Sequence, residues 1–466
     1  MEKPYTLVYY NIVLEGMTRK QEAFLLFIGD ILTLVLGLWL ALLVRSLTVP
    51  AGSLFLLHLK PFSFIFVLSA LSFFIVGLYE AHKVSVRNHL FEIILKTQLA
   101  NISLSIAFFY FFPHETLAPK TLLFLYGIFS TVLLVIWRVF AEIRFAKMER
   151  QRVLLVAAGE EAELLKKEIA LNKRYGMEIV YSIDPSALAS LDFGKDILEK
   201  IYEENIKLVV VDSKNEKILP LLPHFYNLIF SHIQFVELSK FFERVFYRVP
   251  VSSLQHGWFL ENISTAPRKF YDLLKRVMDT LIAIPLTILF SPFFLLGAIL
   301  VKLHDGGEVF SIQTRVGKSG HPIRLLKLRT MHFNDDGNWK ESGEKNGVTK
   351  VGHFLRKSRI DEIPQLLNVL MGDLSLIGPR PEFPKAVAEY AKEIDYYNIR
   401  HMIKPGLSGW AQIYHDEHPH HNDPENVRKT KDKLSYDIYY VKNRSLILDI
   451  IIALKTIKTL LSREGR

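Results

Sequence analysis

Four long, nearly unbroken apolar runs in the first third of the chain constrain its fold more than any other feature. Residues 24–44 carry one charge, Asp30. Residues 62–79, 99–112 (extended upstream by 93–95) and 122–140 follow. Each approaches the roughly 20 residues a helix needs to cross a hydrocarbon core. A soluble core helix would show a polar face every 3.6 residues, and these do not. A four-helix transmembrane bundle is therefore expected over residues 1–145. The first run starts late and lacks a small-residue cleavage site, which argues against a cleavable signal peptide.

Lys and Arg placement sets the expected orientation. Arg19 and Lys20 precede the first run, Lys83, Arg87 and Lys96 lie between the second and third, and Arg138, Arg144, Lys147, Arg150 and Arg152 close the fourth. The opposite loops hold Arg45, Lys60 and Lys120. The heavier set marks the cytoplasm, so the N-terminus and everything after residue 145 are expected inside. Asp30 lies about two turns into its helix, which suits a helix-packing role near the interface better than a functional intramembrane carboxylate.

The 466 residues carry a net charge of +9, are half apolar and contain no cysteine. Disulfides, thiolate metal sites and a cysteine nucleophile are excluded together. A basic excess suits nucleic acid, anionic lipid or phosphorylated substrates. The apolar runs select membrane lipid and phosphorylated substrates over nucleic acid.

From Arg152 the pattern changes. Residues 153–170 read as a buried strand, a turn at Gly159 and an amphipathic helix, and 207–213 and 232–238 read as further strands. This predicts a Rossmann-like α/β unit over 150–250. Its phosphate loop is poor: Ala157-Ala158-Gly159-Glu160-Glu161 replaces G-x-G-x-x-G, and two glutamates oppose the helix dipole that would attract a pyrophosphate. A regulatory or dimerising role is expected, which makes a homodimer a candidate assembly. Residues 241–264 read as a connector.

A fifth apolar segment, 277–301, is long enough to span but carries Pro285 and Ser291-Pro292 near its middle. Proline removes an amide donor, and a serine hydroxyl can serve the carbonyl left over. Both flanks are basic: Arg268, Lys269, Lys275 and Arg276 before, Lys302, Arg315, Lys318, Arg324, Lys327 and Arg329 after. Symmetric flanks argue against a span and for a broken, re-entrant helix with both ends in the cytoplasm.

Four short runs carry the chemistry: KLRTM (327–331), LRKSRIDEIPQ (355–365), GPRPE (378–382) and KPGLSGWAQ (404–412). Cations from separate segments are what a diphosphate needs. Asp361 and Glu362 are adjacent, so on a helix their side chains diverge by about 100° and suit different jobs. One can attack a phosphorus while the other holds a hard cation. Taken alone, each run also reads blandly, as a solvated charged face or a rigid proline turn.

Together, residues from about 267 to 466 resemble the bacterial sugar transferase domain of the polyprenyl-phosphate sugar-1-phosphate transferases. The resemblance rests on KLRTM, LRKSRIDEIPQLLNVLMGDLSLIGPRP, KPGLSGWAQ and YDIYYVKNRSLILD. The whole chain looks like the large membrane subgroup of that family. The resemblance implies a mostly α-helical catalytic domain over 265–466, with a re-entrant helix at about 277–301. It implies transfer of a sugar-1-phosphate from a UDP-sugar to undecaprenyl (polyprenyl) phosphate, releasing UMP, as the first step of an exopolysaccharide or O-antigen-type repeat. It assigns Asp361 as nucleophile, Glu362 as Mg²⁺ ligand, Lys327, Arg329, Arg356 and Arg380 to substrate phosphates, and Ser291-Pro292 to the helix break. It places the chain in a bacterial inner membrane with the catalytic domain on the cytoplasmic face. The alternative is a non-enzymatic membrane scaffold or nucleotide sensor, which would not need both carboxylates, a basic ring and a Pro-Arg-Pro turn.

Residues 414–426, YHDEHPHHNDPEN, match no motif of that family. A polar, mobile loop over the site is expected at 414–426, with a His/Asp metal site as the alternative; its His-rich part is 415–421. Residues 446–461 read as a helix lying on the membrane surface.

Overall fold

The apolar runs fold as four helices: α1 (Arg19–Ser46), α2 (Gly52–Val76), α3 (Leu90–Phe111) and α4 (Pro119–Ala146). They belong to a computed structural model that describes residues 19–79, 90–111, 119–146, 150–172, 175–190, 192–231, 233–250, 254–263, 268–332, 347–415 and 427–462. The chain divides into two units, Met1–Phe241 and Phe242–Arg466.

In the helical region Leu34, Leu38, Phe62, Phe73, Ile94 and Leu134 meet in a packed interior. The outward faces are apolar too, with Leu32, Val67, Leu99 and Ile136 all exposed. A helix apolar all round needs an apolar solvent. Four helices in this unit are long and apolar enough to cross a membrane.

Arg138 corrects the charge reading. It is buried within the bundle and donates from Nε to Asp30 Oδ1 at 3.0 Å and from Nη1 to the Leu78 carbonyl at 2.7 Å. A guanidinium in an apolar interior is tolerated when its donors are paired, so Arg138 serves packing rather than orientation. Asp30 accordingly has the packing role expected of it. Lys83, Arg87 and Lys147 lie outside the described residues.

The rest of this unit is a four-stranded parallel sheet in the order β2-β1-β3-β4, formed by β1 (Gln151–Val156), β2 (Met177–Ile183), β3 (Leu208–Val211) and β4 (Gln234–Glu237). Leu154, Val156, Val209 and Val211 are buried, as central parallel strands require. β2 is an edge strand that the sequence pattern did not reveal, because its residues are mostly half-buried and do not alternate. Helix α5 (Glu160–Leu171) follows Gly159 with Glu160, Glu161 and Glu163 in its first turn.

In the second unit, α6 (Lys269–Asp305) is a single helix of 37 residues. Ser291-Pro292 therefore does not interrupt the helical assignment. Pro292 lacks the donor for the Ile288 carbonyl, and Ser291 Oγ supplies one at 2.8 Å. Both halves of α6 pack against this unit. Asp279 accepts from Ser375 Oγ at 2.7 Å, and Ala283 clusters with Leu325, Val369 and Leu374. Beyond the prolines, Val301 clusters with Leu328 and Leu355, and a Cβ built on Gly297 would fall 2.8 Å from Leu328. Between these anchors Ile288, Leu289, Phe293 and Leu296 are exposed.

A hairpin of β5 (Phe310–Val316) and β6 (Pro322–Leu328) pairs Ser311 with Lys327. Then come α7 (Lys350–Ser358), α8 (Gln365–Met371), β7 (Ser375–Ile377), α9 (Pro384–Glu393), β8 (Gly406–Ser408), α10 (Trp410–His415), α11 (Val427–Asn443) and α12 (Leu446–Ser462). β7 and β8 pair in parallel. Val249, Leu254, Trp258, Phe259 and Ile263 join Tyr397, Trp410, Leu434 and Ile438 in one core. The stretch read as a connector thus supplies interior to this unit.

Candidate active site

The site is built around a change of helix type. Thr349 Oγ1 accepts from the Gly352 amide at 2.8 Å and caps α7. The helix stops at Arg359, which is left-handed at φ 54°, ψ 21°. This conformation costs a non-glycine residue on the order of 1 kcal/mol. It turns the chain into one 3₁₀ turn, Ile360–Glu362, from which α8 follows. The dyad therefore sits on a 3₁₀ turn rather than an α-helix, with its side chains about 120° apart instead of about 100°.

Asp361 is buried at 5% exposure. Burial, and then the neighbouring Glu362 charge, push its carboxyl up to about 6, against the pull of Lys327 and Arg356. Glu362 goes the other way. Burial would raise it, but the charges of Arg380, Lys327 and Arg359 outweigh that and hold it down at about 2. Arg380 Nη2 lies 3.2 Å from Glu362 Oε1, and Arg359 Nη1 is 3.8 Å from Oε2. Adjacent carboxylates thus differ by environment: one poised between its charged and neutral forms, the other firmly ionised.

The cations come from three elements, as anticipated. Lys327 is the penultimate residue of β6, and burial depresses its ammonium while Glu362 and Asp361 restore part of the shift. Asn368, fully buried in α8, grips the backbone beside it, donating to the Arg324 carbonyl at 2.7 Å and accepting from the Leu326 amide at 3.0 Å. Arg356, on α7, donates from Nε to Thr330 Oγ1 at 2.9 Å. Arg380 comes from the Pro-Arg-Pro turn. Arg329 lines the same narrow cleft as Lys327 and Arg356, but its guanidinium is bonded to the Glu308 and His332 carbonyls at 2.6 and 3.3 Å, so it shapes the rim. Ser291 and Pro292 lie near the middle of α6, between the two stretches that pack against this unit.

Several supporting residues escaped the sequence reading. Arg359 makes the turn and faces Glu362; its place inside the 355–365 run was the available signal. Arg400 is buried and pairs with Asp437 at 2.9 Å. Arg315 packs its guanidinium over Phe383 and reaches the Pro381 carbonyl at 3.4 Å. Nothing in their spacing brings these residues together. Residues 416–426, which hold most of the His-rich stretch, lie outside the described residues. No group of three or more His, Asp or Glu suited to a metal occurs among the described residues.

The arrangement offers one desolvated carboxylate near its titration point, one fixed carboxylate and at least three cations converging on them. That set suits a polyanion that must be attacked at phosphorus. Comparisons with known proteins agree. Residues 270–463 match the family model described as bacterial sugar transferase. A UDP-N-acetylgalactosamine-undecaprenyl-phosphate N-acetylgalactosaminephosphotransferase of Aeromonas hydrophila is 40% identical over 238 residues, which are 50% of this chain and 54% of that protein. A UDP-glucose:undecaprenyl-phosphate glucose-1-phosphate transferase of Caulobacter vibrioides is 41% identical over 43% of this chain and 74% of its own length. An exopolysaccharide production protein of Sinorhizobium fredii is 34% identical over 45% of this chain and 95% of its own. The match spans about half of the Aeromonas protein and nearly all of the Sinorhizobium one, and the family model takes in the segment that carries Asp361, Glu362 and their ring of cations. The chain belongs to the bacterial sugar transferase family of phosphoglycosyl transferases.

Proposed function

We propose that this protein transfers a sugar-1-phosphate from a UDP-sugar to undecaprenyl phosphate through a covalent phosphoaspartate at Asp361. The observation that carries the reading is the split dyad: a buried Asp361 raised to about 6 beside a Glu362 held ionised by Arg380. An Asp361 oxygen attacks the phosphorus bearing the sugar, the bond to the UMP oxygen breaks, and UMP leaves. An oxygen of the lipid phosphate then attacks the same phosphorus, which frees the Asp361 carboxylate and yields undecaprenyl diphosphate sugar. Two steps avoid forcing two phosphates together at once. Lys327, Arg356 and Arg380 neutralise charge as it moves to the leaving phosphate.

Mg²⁺ fits the donor set. It takes one or two carboxylates and completes its shell with phosphate oxygens and water. Glu362 keeps capacity on Oε2, where Arg359 stands at 3.8 Å, outside hydrogen-bond range. Glu362 would hold the ion with the donor's diphosphate, and the ion would supply charge neutralisation there.

α6 is read as a re-entrant membrane helix, since both halves pack on one unit while its middle is apolar and exposed. The catalytic unit is placed on the cytoplasmic face of a bacterial inner membrane by the basic residues flanking the runs. The parallel α/β region is assigned a regulatory or dimerising role, because three glutamates occupy the helix start where a phosphate would bind. The test is turnover by purified protein with undecaprenyl phosphate, Mg²⁺ and a panel of UDP-sugars. UMP release with one donor supports the reading. Absence of UMP with every donor, from folded protein, overturns it.

A further inference from the structure

A second group of cations stands at the far end of α8 from the dyad. Asp361 precedes α8, and Gly372 follows its last residue in a left-handed conformation (φ 96°) that lets the chain turn without a side chain. A seven-residue helix is about 10 Å long, so the two places are separate. A Cβ built on Gly372 would lie 3.6 Å from Arg276 Nη2 and 3.6 Å from Lys404 Nζ. Two cationic groups thus flank one open point. Arg276 is fixed there by donating to the Val369 and Leu370 carbonyls at 2.6 and 2.7 Å. Lys404 has no hydrogen-bond or ion-pair partner among the described residues. Partial burial, then the charges of Arg276 and Lys318, push its ammonium down, with Asp279 and Asp373 opposing. Asp279 and Asp373 act on Lys404 without hydrogen-bonding or ion-pairing to it among the described residues, so Lys404 keeps its donors for a ligand.

The location says which ligand. Arg276 belongs to the first third of α6. Phe270, Leu273, Val277 and Leu281 are exposed at helical spacing along that stretch, forming an apolar stripe about a quarter-turn from Arg276. Lys318 also lines a cleft of about 180 Å³ with Arg268, Lys442 and Arg444. Its one carboxylate, Asp272, is paired with Arg444 at 3.2 Å. An apolar helix face rising beside a basic hollow is the arrangement for a headgroup phosphate with its chains along the helix.

We propose that Arg276, Lys318 and Lys404 form a second phosphate site that takes the phosphate of a membrane lipid. This rests on the reading of α6 as membrane-embedded but not on the phosphoaspartate. The phosphate could be carried by an isoprenyl monoester, as in the acceptor, or by a diester of bulk anionic lipid.

The test is calorimetric titration of the full chain in neutral detergent with farnesyl phosphate, dihexanoyl phosphatidylglycerol and inorganic phosphate. The Asp361→Asn protein is compared with Asp361→Asn/Lys318→Gln/Lys404→Gln, so the dyad is the same in both. Lys318 and Lys404 are exposed, and an unchanged Tm confirms that folding is unaffected. The lysine variant should weaken at least one lipid phosphate by about tenfold or more. A loss confined to farnesyl phosphate identifies the monoester as the occupant, and a loss confined to the phosphatidylglycerol identifies bulk lipid. Unchanged affinity for both lipids overturns the site. Because no turnover is measured, a failure of the transferase reading would appear separately, as absent UMP release.

Discussion

Arg400 donates from Nη2 to the backbone carbonyl of Arg380 at 3.0 Å, so a buried arginine holds the turn from which an exposed arginine reaches Glu362. Asp437, 1% exposed, lies 2.9 Å from the same Nη2, and Glu382 lies 4.0 Å from Nη1. Removing one partner of such a buried pair leaves an uncompensated charge, at a cost of about 3–5 kcal/mol. Arg400→Ala should therefore lower Tm sharply. Arg400→Lys keeps the charge but loses the planar fork, and should fold with a reduced rate of UMP release. Equal stability of Arg400→Ala and wild type in thermal unfolding would show that the network does not hold the turn.

The two carboxylates should fail differently. Asp361→Asn keeps the shape and removes the attacking charge, so mass spectrometry after incubation with UDP-sugar should find no phosphosugar adduct at any Mg²⁺ concentration. Glu362→Gln leaves the nucleophile and should slow capture by about 10²–10³, in part recoverable with added Mg²⁺. An adduct on a peptide lacking Asp361 would reverse the assignment.

Adduct formation should follow the ionisation of Asp361. With the carboxyl titrating near 6, about a tenth remains ionised at pH 5, and the rate should fall roughly tenfold per unit below that. Glu362→Gln removes a charge that raises Asp361, so its acid limb should move to lower pH. A pH–rate profile of the first half-reaction measures both.

The same group bears on stability. Its folded value lies above the unfolded 3.8, so stability is greatest below 3.8 and is lost as pH rises through about 6. Asp361→Asn removes this penalty and should raise stability by about 1–3 kcal/mol at pH 8, with no gain at pH 3.5. Thermal unfolding at the two pH values separates the outcomes.

Both ends of α6 should face the same compartment. Cysteines introduced as Lys269→Cys and His304→Cys occupy exposed positions before and after the apolar stretch. An impermeant maleimide should label each only after the cytoplasmic side is opened. Labelling of His304→Cys from outside intact cells would exclude the re-entrant reading.

Where the second unit begins can be tested by truncation. A chain starting at Phe242 keeps Val249, Leu254, Trp258 and Phe259, which pack with Tyr397, Trp410 and Leu434. It should fold and retain adduct formation. A chain starting at Pro267 discards those side chains and should aggregate or unfold. Equal activity of the two would show that 242–266 is dispensable.

The parts of this protein that were legible in its sequence share one property: their signal is local. Apolar runs of span length gave α1 to α4, and the 355–381 segment gave Asp361, Glu362, Arg356 and Arg380 together. What was missed depends on distant partners. Arg400 and Asp437 lie 37 positions apart and reveal their pairing only when α11 packs. Arg138 looked like a loop cation until Asp30, 108 residues away, proved to be its partner. β2 lacks alternation because its residues are mostly half-buried at the sheet edge. The 3₁₀ turn at the dyad depends on Arg359 adopting a conformation its residue type disfavours.

The way α6 is fastened at both ends to the catalytic unit has a kinetic meaning. If its exposed middle is sunk in a bilayer, the catalytic unit is confined to a plane, and the lipid acceptor is found by a two-dimensional search rather than through bulk water. The nucleotide sugar still arrives from three dimensions. On the proposed reaction the partners then reach Asp361 by independent routes and at unrelated times, and a covalently held sugar phosphate would let the first arrival wait for the second.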